Sequence, residues 1–130
     1  MSNDPNLPLA ATAGELLPRV DDAFGLRYKL ATYSLDITHD SGGPKARGFE
    51  RILGITIEAI DYLEAQIMAR LRDTPISEVR DRSPYGISCV VEIPIRGIGG
   101  KANRVVNVRT VWIIRIPGDA PRLVTAYPKP

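Results

Sequence analysis

The chain has 130 residues, of which 44% are hydrophobic and 25% are charged, and this composition is typical of one globular domain with its own core. Its formal net charge of +2 is too small for the overall charge to attract nucleic acid. Any such attraction would need a local cluster of Lys and Arg. Only 6% of the residues are aromatic, so the chain has little material for a base-stacking platform.

Cys89 is the only cysteine of the chain, so an intrachain disulfide is excluded and a cysteine-based zinc site cannot form. It stands in an apolar alternation and is predicted to be a small buried hydrophobe. We expect no metal and no cofactor. The first residues lack the basic start and continuous apolar run of a signal peptide, and no stretch is long enough to span a membrane. We therefore expect a cytoplasmic protein without a membrane partner.

Apolar spacing predicts helices in the first half of the chain. Residues 1–14 are rich in Ser, Asn, Pro and Ala and are predicted to form a flexible arm, followed by a single domain over residues 15–130. Three helices are predicted on apolar residues three and four positions apart, with a proline at the start of the second and a threonine as N-cap of the third. Their predicted ranges are 26–35, 44–53 and 56–72.

After a polar connector over residues 73–84, the apolar period changes from about 3.6 to 2, which indicates that helices give way to a sheet. Strands are predicted over residues 87–96, 104–116 and 122–127, and short connections make them antiparallel. The predicted fold class is α+β, with N-terminal helices packed on one face of a C-terminal antiparallel sheet of three to four strands.

Side-chain alternation along these strands predicts a polar face opposite the helices. Symmetric closure of the last turn places Val111 opposite Tyr127 and Ile113 opposite Thr125. The residues predicted to share the polar face are Glu92, Asn107, Arg109, Thr125 and Tyr127. A register slip of one residue would exchange Arg109 for Thr110 on this face.

The only histidine lies in the connector between the first two predicted helices. His39 is followed by Asp40, two glycines and Pro44, which break regular structure, and then by Lys45 and Arg47 in the first turn of the next helix. A group that titrates near neutral pH thus stands beside two cations. A solvated surface histidine is the alternative interpretation.

A wider pattern includes this connector. KL, YSL, His39, GGPKA, Phe49 and LG, with TVWIIR and PRLVTAYP near the C-terminus, resemble an uncharacterised bacterial domain family with the pattern KLxxYxL, H, GxxKAxxF, LG, VWI and PRLVTAYP. By its order of helices before sheet, that family is similar to the toxin ribonucleases of the barnase, EndoU, colicin-nuclease and RelE-like (BECR) group. The resemblance implies a BECR-like fold, an RNA substrate and an antitoxin or immunity protein as partner.

The site residues and the resemblance together predict a metal-independent endoribonuclease, in which a ribose 2′-hydroxyl attacks the adjacent phosphorus. His39 is the candidate general base or acid. Lys45 and Arg109 would hold phosphate oxygens, Thr125 or Thr110 would donate a hydrogen bond, and Tyr127 would act as an acid or a stacking surface. The predicted RNA-binding residues are Arg47, Asn107, Thr110 and Glu92, and Glu92 is also an alternative general base.

Other interpretations stay open. Each site residue could be structural: Arg109 could pair with Glu92 across the strands, and Thr110 and Thr125 could be present as good strand formers. The chain could also be a non-catalytic binding module of a phage or mobile-element system, or a housekeeping protein that binds a small acidic ligand. The substrate RNA and the oligomeric state are not predicted.

Overall fold

The computed structural model describes residues 11–130, and its first half is helical. Helix α1 covers residues 26–34, as an α-helix at Leu26–Lys29 that continues into a π-helical turn at Leu30–Ser34. Helix α2 covers residues 43–53, again as an α-helix, Gly43–Gly48, followed by a π-helical turn, Phe49–Leu53. Helix α3, Ile60–Leu71, follows a 3₁₀ turn at Ile57–Ala59. The three predicted helices are therefore present at nearly their predicted positions.

The second half forms a four-stranded antiparallel sheet in the order β1-β2-β3-β4. The strands are β1, Glu78–Asp81, β2, Ile87–Arg96, β3, Val105–Ile114, and β4, Arg122–Pro128. The last three match the predicted strands, and the α+β fold class is confirmed. Short 3₁₀ turns at Val20–Asp22 and Gly99–Lys101 complete the described structure.

Strand β1 was not predicted, since the polar sequence around it indicates a connector. It is a short edge strand in which only Val79 packs against the core, while its other side chains are charged or face solvent. This strand is fixed by its pairing with β2. It lacks the run of apolar residues on which a sequence-based prediction depends.

The predicted pairing of β3 with β4 is wrong by two residues. Arg109 stands opposite Tyr127, and Val111 stands opposite Thr125. The connection after β3 does not close symmetrically, and a bulge between Val111 and Trp112 adds an irregularity further along the pair. Because the shift is an even number of residues, the predicted face of each side chain is unchanged.

The core lies between the helices and one face of the sheet. Alternate residues of β2 and β3, including Cys89, Val91 and Trp112, are fully buried against Phe49 of α2 and Leu63 of α3. The other face of the sheet, which we call the outer face, carries Glu92, Asn107, Arg109, Thr125 and Tyr127. The hydrophobic alternation of the strands decides this division, since one face of each strand must be removed from water.

The predicted N-terminal arm lies mostly outside the described residues. Its last part is fixed in the structure: Ala11 is buried, and the backbone N–H of Gly14 donates to the carbonyl of Ile76 at 2.8 Å. Ala11 and Gly14, which the prediction placed in the arm, thus contact the rest of the described structure. Over residues 11–130, no helix combines the length and the apolar character that a membrane crossing requires.

Candidate functional site

The candidate site lies where helix α1 covers the free edge of strand β4. The backbone N–H of Leu123 donates to the carbonyl of Phe24 at 3.0 Å, and the N–H of Ala126 donates to the Ser34 hydroxyl at 3.4 Å. These bonds satisfy N–H groups that an uncovered edge strand would expose. They hold α1 alongside β4 and bring side chains of α1 and α2 to the rim of the outer face.

Lys45 occupies this rim. Its Nζ donates to the phenol oxygen of Tyr33 at 2.7 Å and to the hydroxyl oxygen of Thr125 at 2.9 Å. The ammonium also lies 4.5 Å from the ring centroid of Tyr33 and 5.4 Å from that of Tyr127. The half-buried Lys45 therefore joins α1, α2 and β4 through neutral oxygens and aromatic rings.

No ion pair neutralises Lys45 in the described part of the chain, because no carboxylate oxygen there lies within 4.0 Å of its Nζ. An ammonium has three N–H donors, and the two hydroxyl oxygens use two of them. Since both hydroxyls accept from Lys45, the O–H groups of Tyr33 and Thr125 can donate elsewhere. The site therefore offers up to three donors and one positive charge to an anion.

His39 is linked to this cluster by Tyr33, whose ring it meets edge to face at a centroid distance of 4.8 Å. The exposed His39 also organises its own loop, since its Nδ1 accepts the backbone N–H groups of Ser41 and Gly42, each at 3.0 Å. Two donors on Nδ1 require the proton of the neutral ring to lie on Nε2. In this conformation Nε2 is a hydrogen-bond donor and not a base.

Contacts at both ends hold the loop around His39 in place. The hydroxyl and the backbone N–H of Thr38 donate to the Asp36 carboxylate, and these bonds hold the pKa of Asp36 below its usual range. At the other end, a Cβ on Gly42 would lie 2.0 Å from the carbonyl oxygen of Tyr33. Glycine is required at position 42 because the backbone there passes against the end of α1.

Arg109 lies beside the cluster but is already paired. Its guanidinium is 3.2 Å from Glu92 and 3.5 Å from Glu78, and Lys129 lies 3.7 Å from the same oxygen of Glu92. The Arg80 guanidinium, and to a lesser extent that of Arg109, hold the pKa of Glu78 below its usual range. Arg109 therefore shares the outer face with Thr125 and Tyr127, as predicted, with its charge offset by two carboxylates.

The other predicted site residues are more dispersed. Thr110 is fully buried on the core face, where its hydroxyl donates to the carbonyl of Val91 at 2.7 Å and accepts from Trp112 Nε1 at 2.9 Å. The register alternative is thereby resolved, since Arg109 and not Thr110 is on the outer face. Asn107 is exposed on the outer face two residues before Arg109 in β3, and Arg47 is exposed on α2.

Two residues at the site were missed by the sequence prediction. Tyr33 was not predicted as a site residue, but its phenol oxygen accepts a hydrogen bond from Lys45 Nζ. Lys29 lies one helical turn earlier, and its Nζ is 5.5 Å from the Tyr33 ring centroid. The signal available in the sequence was their spacing of four residues, which places both on one side of a helix.

Within residues 11–130, no group of three or more His, Cys, Asp or Glu side chains is arranged to hold a metal ion. No curated protein and no solved structure matches the chain. One family profile does match, and it covers residues 12–130, which is nearly the whole described structure. The chain therefore belongs to the family described as domain of unknown function DUF6883.

Proposed function

We propose that the protein is a toxin-type, metal-independent endoribonuclease with its reaction centre at Lys45. The observation that carries this proposal is the half-buried ammonium held by Tyr33 and Thr125 without a carboxylate partner in residues 11–130. A positive charge of this kind, with hydroxyl donors on either side, suits a phosphate better than a neutral ligand.

The chemistry follows from these groups. The 2′-oxygen of a ribose forms a bond to the adjacent phosphorus, the bond from phosphorus to the 5′-oxygen breaks, and the 5′-oxygen takes up a proton. The products are a 2′,3′-cyclic phosphate and a 5′-hydroxyl. Lys45 stabilises the dianionic pentacoordinate phosphorus, and the hydroxyls of Tyr33 and Thr125 donate to its oxygens.

Glu92 is a better candidate than His39 for removing the 2′-proton. The carboxylate stands in a row with Arg109 and Tyr127 on three neighbouring strands, and the Tyr127 ring centroid lies 5.4 Å from Lys45 Nζ. His39 with its proton on Nε2 is suited to donate to phosphate, and Tyr127 is suited to protonate the 5′-oxygen. The resemblance to BECR toxins supports a ribonuclease and implies an antitoxin or immunity protein as a partner.

The test is incubation of the purified protein with total RNA and tRNA in EDTA. We expect fragments with 2′,3′-cyclic phosphate ends, and Lys45→Met should lower the rate about 100- to 1,000-fold because one transition-state donor and its charge are lost. Lys101→Met is the matched control, since Lys101 is also half-buried but lies in the β2–β3 connection. Intact RNA with the wild type, or equal rates for the two variants, would contradict the proposal.

A second candidate function is a non-catalytic nucleic-acid- or protein-binding module of a phage or mobile-element system. It is favoured by two observations: the guanidinium of Arg109 is already paired with two carboxylates, which reduces its capacity to hold a phosphate, and Nδ1 of His39 is occupied, which reduces its capacity for proton transfer. Induced expression discriminates the two: a ribonuclease arrests growth, and Lys45→Met relieves the arrest, whereas a binding module leaves growth unchanged.

A further inference from the structure

We propose that a single strand of RNA lies along β4, with its phosphates held by a stripe of three cations, Arg122, Lys29 and Lys45. This inference rests on the proposed function and extends it from one phosphate to a path for the substrate. We call these three residues the β4 stripe.

The path is defined by the backbone. Residues 24–34 run alongside β4, with Phe24 hydrogen-bonded at the start of the strand and Ser34 near its end. Arg122 begins β4 on the outer face, opposite Ile113, and Lys45 meets the strand at Thr125. Lys29 lies on α1 between these positions and contacts the ring of Tyr33. The three cations therefore follow one edge of the sheet in order.

Their charges are available. In the described part of the chain, none of the three lies within 4.0 Å of a carboxylate oxygen. Five other arginines each pair with at least one carboxylate, namely Arg19, Arg27, Arg72, Arg80 and Arg109. The β4 stripe thus places three unneutralised cations along one edge of the sheet, which gives a protein of net charge +2 a local cluster of the kind that binding to nucleic acid requires.

The length and the neighbouring side chains fit a nucleic-acid strand. Thr125 is three positions after Arg122, a distance of about 10 Å in a strand, which equals about three nucleotide steps of a stacked chain. Tyr33 and Tyr127 stand among the cations, and Phe24 beside Arg122 is 50% exposed. Phe24 is exposed and Tyr33 and Tyr127 are half-buried, and aromatic rings placed between cations bind bases by stacking.

The test uses a short fluorescein-labelled 2′-O-methyl oligoribonucleotide, which lacks the attacking hydroxyl and cannot be cleaved. Its affinity is measured by fluorescence anisotropy between about 50 and 200 mM salt. The double variant Lys29→Gln and Arg122→Gln should bind about tenfold or more weakly at low salt. Its slope of log affinity against log salt should be smaller by about 1.4, because each lost phosphate contact of a single strand contributes about 0.7.

The control removes the same charge elsewhere, by Arg70→Gln in α3 and Arg104→Gln before β3, both of which are exposed. Equal affinities and slopes for the two double variants, with equal thermal unfolding, would overturn the β4 stripe. Competition by polyglutamate as strong as that by the oligonucleotide would overturn RNA as the ligand in favour of an acidic protein. If wild type cleaves no RNA but the slope changes as expected, the nuclease proposal fails and the β4 stripe stands.

Discussion

Lys45 and Arg109 are both cations near the outer face, and their partners give them different roles. Arg109 contacts Glu78 and Glu92, so its charge is largely offset and it links three strands. Lys45 contacts hydroxyls and rings and keeps its charge for a ligand. Residue type alone would rank the arginine higher as a phosphate ligand, since a guanidinium can bind two oxygens. The ranking is reversed by what each side chain already binds.

His39 gives a test at the residue scale. Its Nδ1 accepts two backbone N–H groups, and an asparagine side-chain oxygen can accept the same bonds, whereas alanine cannot. We expect His39→Ala to destabilise the protein by about 0.5–1.5 kcal/mol and His39→Asn by less, measured by urea unfolding. If Nε2 also donates to phosphate, both variants lose RNA cleavage. Full cleavage by His39→Asn would restrict His39 to holding the loop.

Thr110 and Thr125 provide a matched pair on opposite faces of the sheet. Thr110→Val leaves the buried indole N–H of Trp112 without its acceptor, and we expect a loss of about 1–3 kcal/mol in unfolding free energy. Thr125→Val removes a half-buried hydroxyl and should cost less than about 0.5 kcal/mol while slowing RNA cleavage. The reverse order of stabilities would contradict the assigned faces.

At the scale of elements, the close contact between the His39 loop and α1 depends on Gly42. A Cβ at this position would meet the backbone of Tyr33 at 2.0 Å, so Gly42→Ala must separate the loop from the helix that carries Tyr33. We expect a loss of about 1–3 kcal/mol by thermal or urea unfolding, together with lower activity.

Gly100→Ala is the control for this element, because a Cβ there has no neighbour within 4 Å among the described residues and Gly100 is exposed. Its stability should change by no more than about 0.5 kcal/mol. Equal effects of the two alanine substitutions would show that the loop moves away from α1 without cost.

At the scale of the whole molecule, Cys89 reports on the integrity of the core. It is fully buried in β2, and burial raises the pKa of its thiol to about 11, so the reactive thiolate is disfavoured at neutral pH. We expect a thiol reagent at pH 8 to label the folded protein about a thousandfold or more slowly than the protein unfolded in urea. Rapid labelling of the folded protein would mean that the two layers separate readily.

The sequence by itself determined the layers and the two faces of the sheet. Helical spacing of residues such as Leu26, Leu30 and Phe49, and alternation along β2 and β3, follow from burying one side of each element, and this signal is local. The side that carries Glu92, Arg109, Thr125 and Tyr127 was therefore predictable, even with the β3–β4 pairing displaced by two residues.

Only the tertiary structure decided what those side chains contact. Tyr33 reaches Lys45, and Lys45 reaches Thr125 eighty residues away, because α1 covers the edge of β4. The strand β1 and the pairing of Arg109 with Glu78 likewise depend on a neighbour that is distant in the chain. Local periodicity specifies which side of an element is buried, whereas the partner of a polar group depends on how separate elements pack together.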